Sequence, residues 1–228
     1  MVAPRSPVKS TGLRVFKAAT GNKKLAKKNT TKQITRGRFR GMPMYLLTLE
    51  ERATCWSGCQ NWTVCYGDNM PFAKRHHPGV ELTEAITADL QVLNTRHRNG
   101  YVIRLHVLGD FYSVDYVQHW HQALVQNPSL HLFGYTHWRQ SDPIGKAVAD
   151  MVAAFPDRTA FRRSDPSEAN DPLPGAWTIE RTQLPVLGSV TCPEQTGKTS
   201  SCNTCGLCMN TTTAVSFINH HRDQLLVA

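Results

Sequence analysis

From residue 43 onward the chain alternates short apolar runs with longer amphipathic stretches. PMYLLTL, residues 43–49, predicts a buried strand. In ELTEAITADLQVLNTRH, residues 81–97, Leu82, Ile86, Leu90 and Leu93 recur at helical spacing, so a helix follows. YVIRLHVL, 101–108, is too short and too β-branched for another helix and predicts a strand. Ser113 is placed to cap a helix whose Val117, Trp120 and Leu124 share one face, with Asp115 at the positive end of its dipole. HLFGYTH, 131–137, predicts a strand. Asp142 before Pro143 reads as a cap with proline at the first helical position, and Ile144, Ala147, Val148, Met151 and Phe155 form the stripe of the next helix. TAFRR, 159–163, closes the run as a strand. Strand, helix and strand in steps of about thirty residues imply parallel pairing with right-handed crossovers.

After residue 164 the pattern thins. SDPSEANDPLPG is loop by composition, WTI at 177–179 is a short strand, and 184–210 is rich in Pro, Gly and Cys with little core of its own. Ala214 to Leu226 reads as a final helix. The expected fold class is α/β. A complete eight-stranded barrel needs about 250 residues, so a chain of 228 favours a partial, open parallel βα barrel of five or six strands, with a doubly wound sheet as the alternative. Either architecture places its chemistry at the carboxyl ends of the strands. Three parts are expected: a basic arm over 1–41, a βα core with a cysteine loop over 42–183, and a Cys-rich metal-binding segment with the terminal helix over 184–228.

Charge changes this picture at one end only. The formal charge is +9, yet residues 1–41 hold twelve of the twenty-six Lys and Arg and no Asp or Glu, leaving a slightly acidic body. The arm reads equally as a track for a nucleic-acid or nucleotide phosphate backbone and as a solvated leader. Phe16 and Phe39 are its aromatic side chains, too few for a stacking platform. Removing residues 1–40 is expected to leave metal content unchanged while weakening any nucleic-acid binding and flattening its salt dependence. No apolar run approaches the length of a membrane span, and no apolar N-terminal signal is evident, so a cytoplasmic protein of a bacterial host is expected.

The seven cysteines carry the chemistry. Cys55, Cys59 and Cys65 lie within ATCWSGCQNWTVCYG, just after the first predicted strand. Cys192, Cys202, Cys205 and Cys208 lie within TCPEQTGKTSSCNTCGLC. An odd count in a reducing compartment argues for metal ligation or catalysis over disulfides. Thiolate-only sets select zinc or iron–sulfur clusters. The unpaired trio does not match two zinc knuckles. The close-packed second group is nearer to ferredoxin-type runs, with zinc its alternative. Three thiolates leave one iron of a [4Fe-4S] cluster open; four close the other site.

This arrangement of a strand, a three-cysteine loop, βα units and a C-terminal cysteine group resembles the radical S-adenosylmethionine enzymes that carry an auxiliary cluster. The resemblance implies that the open iron chelates S-adenosylmethionine, that a reductant supplies the electron cleaving it to a deoxyadenosyl radical, and that Gly109-Asp110 holds the cofactor's amino group. The superfamily's usual trio is C-x3-C-x2-C with an aromatic residue before the third cysteine; here the second gap is five and Tyr66 follows it. GNKKL, LTLEERATC, CYGDNMPFAKR, RLHVLGDFYSVDYV, LFGYTHW, TCPEQTGK and CNTCGLC together resemble the gene product 88 family of phage and plasmid proteins. That resemblance implies a mobile-element origin and a shared cysteine framework, and supplies no substrate.

Asp110 has a second reading as an ordinary strand-end turn residue. Arg162 and Arg163 leave their strand toward the presumed active face, where one could hold a carboxylate or phosphate and the other a solvent-facing partner. Tyr135 and His137 read as core or supporting residues as readily as substrate contacts, and His76-His77 and His220-His221 as loop and tail residues. Two function classes follow: a radical enzyme acting on a substrate yet to be identified, and a non-catalytic zinc- or iron–sulfur-stabilised module that binds nucleic acid.

Overall fold

The computed structural model describes residues 14–26, 33–63, 65–167, 170–210 and 212–219. In chain order its elements are β1 (Lys17–Ala18), β2 (Met44–Leu46), α1 (Glu51–Thr54), α2 (Val80–Arg96), β3 (Tyr101–Leu105), α3 (Val114–Gln126), β4 (Leu130–Thr136), α4 (Pro143–Ala154), β5 (Thr159–Ser164), β6 (Gly175–Ile179), β7 (Ser189–Thr191), α5 (Cys202–Cys205) and β8 (Ala214–Ile218). The strands make one eight-stranded sheet in the order β1-β2-β3-β4-β5-β6-β8-β7. Only the β1–β2 pair is antiparallel. The sheet is open, as the sequence led one to expect. From β2 to β6 spatial order follows chain order, with no reversal of the kind that gives a doubly wound sheet its switch point.

Both faces of the sheet are covered, by different means. Strand alternation sends Tyr101, Ile103, Leu105, Leu130, Leu132 and Phe161 to one face, where they meet the stripes of α2, α3 and α4 through Leu82, Ile86, Leu90, Val117, Trp120, Val148 and Met151. The opposite set, Met44, Leu46, Val102, Phe133 and Ala160, meets Leu25, Ile34, Phe39 and Met209. Those covering residues come from the N-terminal arm and the Cys-rich segment.

The arm therefore contributes to the core through Val15, Phe16, Ala19, Leu25, Ala26, Ile34 and Phe39. Val15 and Phe16 pack on the helix face, and their amides donate to the buried carboxylate of Asp89 on α2 at 2.9 and 3.0 Å. β1 then borders β2, and Ala19, Leu25, Ile34 and Phe39 continue onto the second face. Phe16 and Phe39 are buried and offer no stacking surface. Each buried Leu, Ile or Phe contributes about 1.5–3 kcal/mol, so residues 1–40 are not removable as a leader would be. Residues 1–13 and 27–32 lie outside the described residues.

Two local expectations are corrected. Ser113 caps α3, its Oγ accepting from the Tyr116 amide at 3.1 Å. Asp142 precedes α4 but makes no side-chain cap; its carboxylate accepts from the Arg139 amide at 3.0 Å instead. The tail begins as strand β8, not as a helix, because AVSFI meets the open edge of β6 and pairs with it in register Ala176↔Val215 through Ile179↔Ile218. The backbone groups a helix would satisfy internally are satisfied here by the sheet. Gln195 finishes that strand like a short extra one, donating to the Ile218 carbonyl and accepting from its amide, both at 2.9 Å. Residues 220–228, with His220-His221, lie outside the described residues.

Candidate metal centres

The three-cysteine loop is an excursion closed at its base. It leaves the sheet after Thr48 and returns at His76, which bridges Leu49 in parallel, with His76 N to Thr48 O and Glu50 N to His76 O both 3.0 Å. Inside, the buried pair Glu51–Arg75, at 2.7 Å, ties α1 to the returning strand. Arg75 also donates to the carbonyls of Gly67, Met70 and Ala73 at 2.9, 3.1 and 3.0 Å. Cys55 ends α1, Cys59 stands on the turn that follows, and Cys65 caps the 3-10 turn Tyr66–Asn69, its sulfur 3.4 Å from the Gly67 amide. Burial raises the Cys55 pKa, and the charges of Asp110, Cys65 and Cys59 raise it further; Cys65 is raised mainly by burial. Cys55 therefore feels the other two thiols, while Cys65 answers mainly to its own burial.

That environment is built from the carboxyl ends of β3, β4 and β5. Gly109, after β3, has φ +87°, and a Cβ there would come within 2.5 Å of Thr54 Oγ1 and 2.7 Å of Leu49 Cβ, so only glycine lets the β3 end approach α1 this closely. Asp110 is buried, and its two oxygens accept from the Phe111 amide at 2.7 Å and the His137 amide at 2.8 Å. Burial raises its pKa to about 6 against those amides. Its contacts make it a bracket between the ends of β3 and β4, in line with the strand-end reading. Each oxygen accepts one of these bonds and keeps further acceptor capacity, so the two amides and the amino group that the radical-enzyme resemblance implies for Gly109-Asp110 do not compete for the same lone pair.

His137, just past β4, puts Nε2 3.8 Å from Cys59 Sγ and 3.5 Å from Asp165 Oδ2. Burial alone would lower its pKa; Asp165 and Cys59 outweigh that and raise it to about 10. Cys59 is lowered in turn, His137 overcoming burial. Asp165, directly after β5, holds a positive φ of 48°, an uncommon backbone state that side chains at functional sites often adopt. Beside Cys59 opens a cleft of about 190 Å³ whose lining includes Trp56, His137, Arg139, Arg163 and Asp165. The Arg139 guanidinium lies 5.6 Å from the Trp56 ring centre.

The four-cysteine group sits on the second face of the sheet. Cys202 and Cys208 pack against its apolar cluster, and Cys192 is buried after β7. The arm clasps α5 by backbone: Cys202 N donates to Lys24 O at 2.9 Å, Asn203 N to Leu25 O at 3.0 Å, and Thr35 N to Asn203 O at 2.8 Å. Arg162, fully buried on β5, donates to the carbonyls of Leu207, Cys208, Asn210 and Thr213 at 2.5–3.1 Å. Arg163 is also buried, paired with Asp171 at 2.5 Å. Neither arginine is a solvent-facing partner or a free anion clamp. Burial first, then the charge of Cys208, raises Cys202 to about 12, and burial raises Cys192.

Between the two groups stands Arg104, on β3. Its side chain is half-buried, and its Nε is buried without a hydrogen-bond partner. The Tyr135 ring centre is 5.4 Å away. Tyr66 in turn lies beside Cys65 and Cys55, and its hydroxyl donates to the Val107 carbonyl.

Comparison with protein-family models, curated proteins and solved structures gives no match. All seven cysteines are free thiols. Among the described residues no three His, Cys, Asp or Glu side chains converge as the ligands of a single ion do. One tetrahedral zinc would hold thiolates about 3.8 Å apart, given its bond length of about 2.3 Å. A cubane spreads them over different irons and needs a looser gathering. Donor chemistry fits a thiolate-bound centre at both groups.

Several residues of these sites escape sequence reasoning. Glu51 and Arg75 lie twenty-four positions apart with no periodic signal linking them. Asp165 sits in a stretch that reads as loop, although an acidic residue at a strand's carboxyl end is the same signal that singles out Asp110. Arg104 is visible as the one charged residue inside YVIRL.

Proposed function

We propose that the protein is an iron–sulfur enzyme of radical S-adenosylmethionine-like type, with the open sheet as a partial βα barrel. Cys55, Cys59 and Cys65 would hold a [4Fe-4S] cluster with one position free for an exchangeable ligand, for which the resemblance implies S-adenosylmethionine. Cys192, Cys202, Cys205 and Cys208 would hold a second, closed centre. The observation that carries this reading is the division of the thiols by one sheet: three on its carboxyl edge beside a cleft, four on its second face under the arm.

When bound, an open cluster supplies an electron to the ligand at its free iron. The chain's own residues do the rest. The loop closed at Leu49–His76 and braced by Glu51–Arg75 fixes the three sulfurs. His137, with Asp165 beside it, can hold or deliver a proton at the cleft. Arg139 on Trp56 offers a cation over a flat apolar wall, which suits a planar or anionic substrate group.

The nucleic-acid module is the weaker reading. Part of the arm's charge is already engaged: Arg14 pairs with Asp89 at 3.3 Å, and Arg38 donates to the carbonyls of Pro156 and Thr159. Iron and acid-labile sulfide analysis of protein purified and reconstituted without oxygen tests the proposal. About eight irons per chain are expected, one cubane per cysteine group. Cys59→Ala should halve that number, and adding S-adenosylmethionine to the reduced wild type should change the EPR spectrum of one cluster only. Colourless, zinc-loaded, fully stable protein would rule the enzyme out.

A further inference from the structure

We infer that the cleft beside Cys59 is a subsite for a small planar carboxylate, with Arg139 as the counter-ion of the carboxylate and Trp56 as the wall for its ring. This names a substrate class for the cleft of the reading above, while the binding itself requires no metal. The cleft, of about 190 Å³, opens where the segments after β4 and β5 meet the cysteine loop. That is below the range of about 300–1,000 Å³ typical of sites for drug-sized ligands, so it admits a single ring with its substituent and excludes a nucleotide. Its flat wall depends on a glycine. A Cβ at Gly58 would come within 2.4 Å of the Trp56 ring, so the indole folds back over the loop only because position 58 carries none.

The charges of the lining decide the sign of the ligand. Arg163 and Asp171 neutralise each other through contacts of 2.5 and 3.2 Å, and Arg163 also donates to the Trp138 carbonyl. His137 faces Asp165 at 3.5 Å, and Asp165 accepts from the Thr178 amide at 3.2 Å. Arg139 differs from both pairs. Its backbone amide donates to Asp142 at 3.0 Å, but among the described residues its guanidinium meets only the Trp56 ring, 5.6 Å from the ring centre. A guanidinium held over an indole by cation–π attraction keeps its in-plane N–H groups clear, the edge that grips a carboxylate through two parallel bonds. Ser164 and Ser167 add hydroxyls to the same lining. One unmatched cation calls for one negative charge. A phosphate dianion would exceed it, and Asp165 and Asp171 in the same cleft would repel the surplus.

Isothermal titration of the full chain with benzoate, benzamide, acetate and inorganic phosphate tests the assignment. Benzoate should bind at least about tenfold more tightly than benzamide, which lacks the charge, and than acetate, which lacks the ring. Arg139→Ala should remove the preference for benzoate over benzamide, Arg139→Lys should keep part of it, and Trp56→Ala should remove the preference over acetate. Arg139 is exposed, so its two variants should keep the wild-type Tm; where a variant does not, the ligand series on the wild type decides by itself. Equal affinity for benzoate and benzamide would overturn the inference, as would benzoate affinity unchanged in Arg139→Ala, phosphate bound more tightly than benzoate, or no benzoate binding at millimolar concentration. The metal content is a separate outcome. A zinc-loaded chain that binds benzoate ends the radical reading and leaves the subsite standing, whereas an iron-loaded chain indifferent to benzoate ends the subsite alone.

Discussion

Cys55, Cys59 and Cys65 stand on a loop fastened at one bridge on the rim of the sheet, whereas Cys192, Cys202, Cys205 and Cys208 lie against its second face with the arm folded over them. Around the first group the neighbours are titratable side chains, Asp110, His137 and Asp165, and a cleft. Around the second they are carbonyls gathered by Arg162 and apolar side chains. The same residue type is thus placed beside a cleft in one case and under the arm in the other, with Cys192 the buried member of the second group. Accessibility, more than donor identity, separates a reactive centre from a structural one.

The largest effect that would break this contrast is removal of Arg162. Arg162→Met leaves four carbonyls of the Cys-rich segment without their buried donor and should cost about 3–5 kcal/mol in urea denaturation. Amide exchange should rise across 202–218 while the loop around Cys59 keeps its protection. Equal loosening of both regions would mean that they are one cooperative unit.

Smaller and opposite in location is Glu51→Gln. It removes the charge that meets Arg75 within the first loop, and about 2 kcal/mol of local stability should go with it. Proteolysis between 55 and 75 should quicken, and the first centre should lose metal while the second keeps it.

The most gradual effect, spread over several pH units, is one of pH and serves both regions as a common reference. His106 is buried neutral beside Tyr116, its pKa lowered from 6.5 to about 3, chiefly by burial and then by the Arg104 charge; His76 is lowered to about 4, again first by burial. The unfolded chain takes up protons below pH 6.5 that the folded chain refuses. Stability is therefore complete above about pH 6.5 and declines as pH falls towards 3, by at most about 1.4 kcal/mol per pH unit for each group. His106→Asn should flatten the stability–pH curve of the metal-free protein between pH 6.5 and 4. An unchanged slope would show that other groups carry the acid sensitivity.

How much of this was legible beforehand varies by kind of residue. The stripes of α2, α3 and α4 are periodic at 3.6 and most of the residues the spacing picks out are buried; Ile144 and Phe155 are half-buried, and Asp89, Tyr116, Ala123, Gly145 and Ala149 are buried beside the stripes. β3 falls inside its apolar run and β4 and β5 match theirs to within one residue, because a short β-branched or aromatic run between turn signals has few other uses. The tail misled for the opposite reason: AVSFI has no period long enough to decide, and the edge of β6 decided for it. Asp142 looked like a cap and is a turn acceptor, since capping depends on a side-chain rotamer that sequence leaves open.

By itself, then, the sequence determined which segments are strands and helices in the βα core, that they alternate, and that its cysteines divide three and four. These are local properties, set by periodicity and spacing along the chain. Only the tertiary structure decided that a strongly basic arm lines the core, that Asp110 is held by two amides, and that Glu51 meets Arg75. Each depends on which groups arrive together from distant parts of the chain. A charge or a buried hydrogen bond takes its energy from that company, which no single stretch of sequence contains.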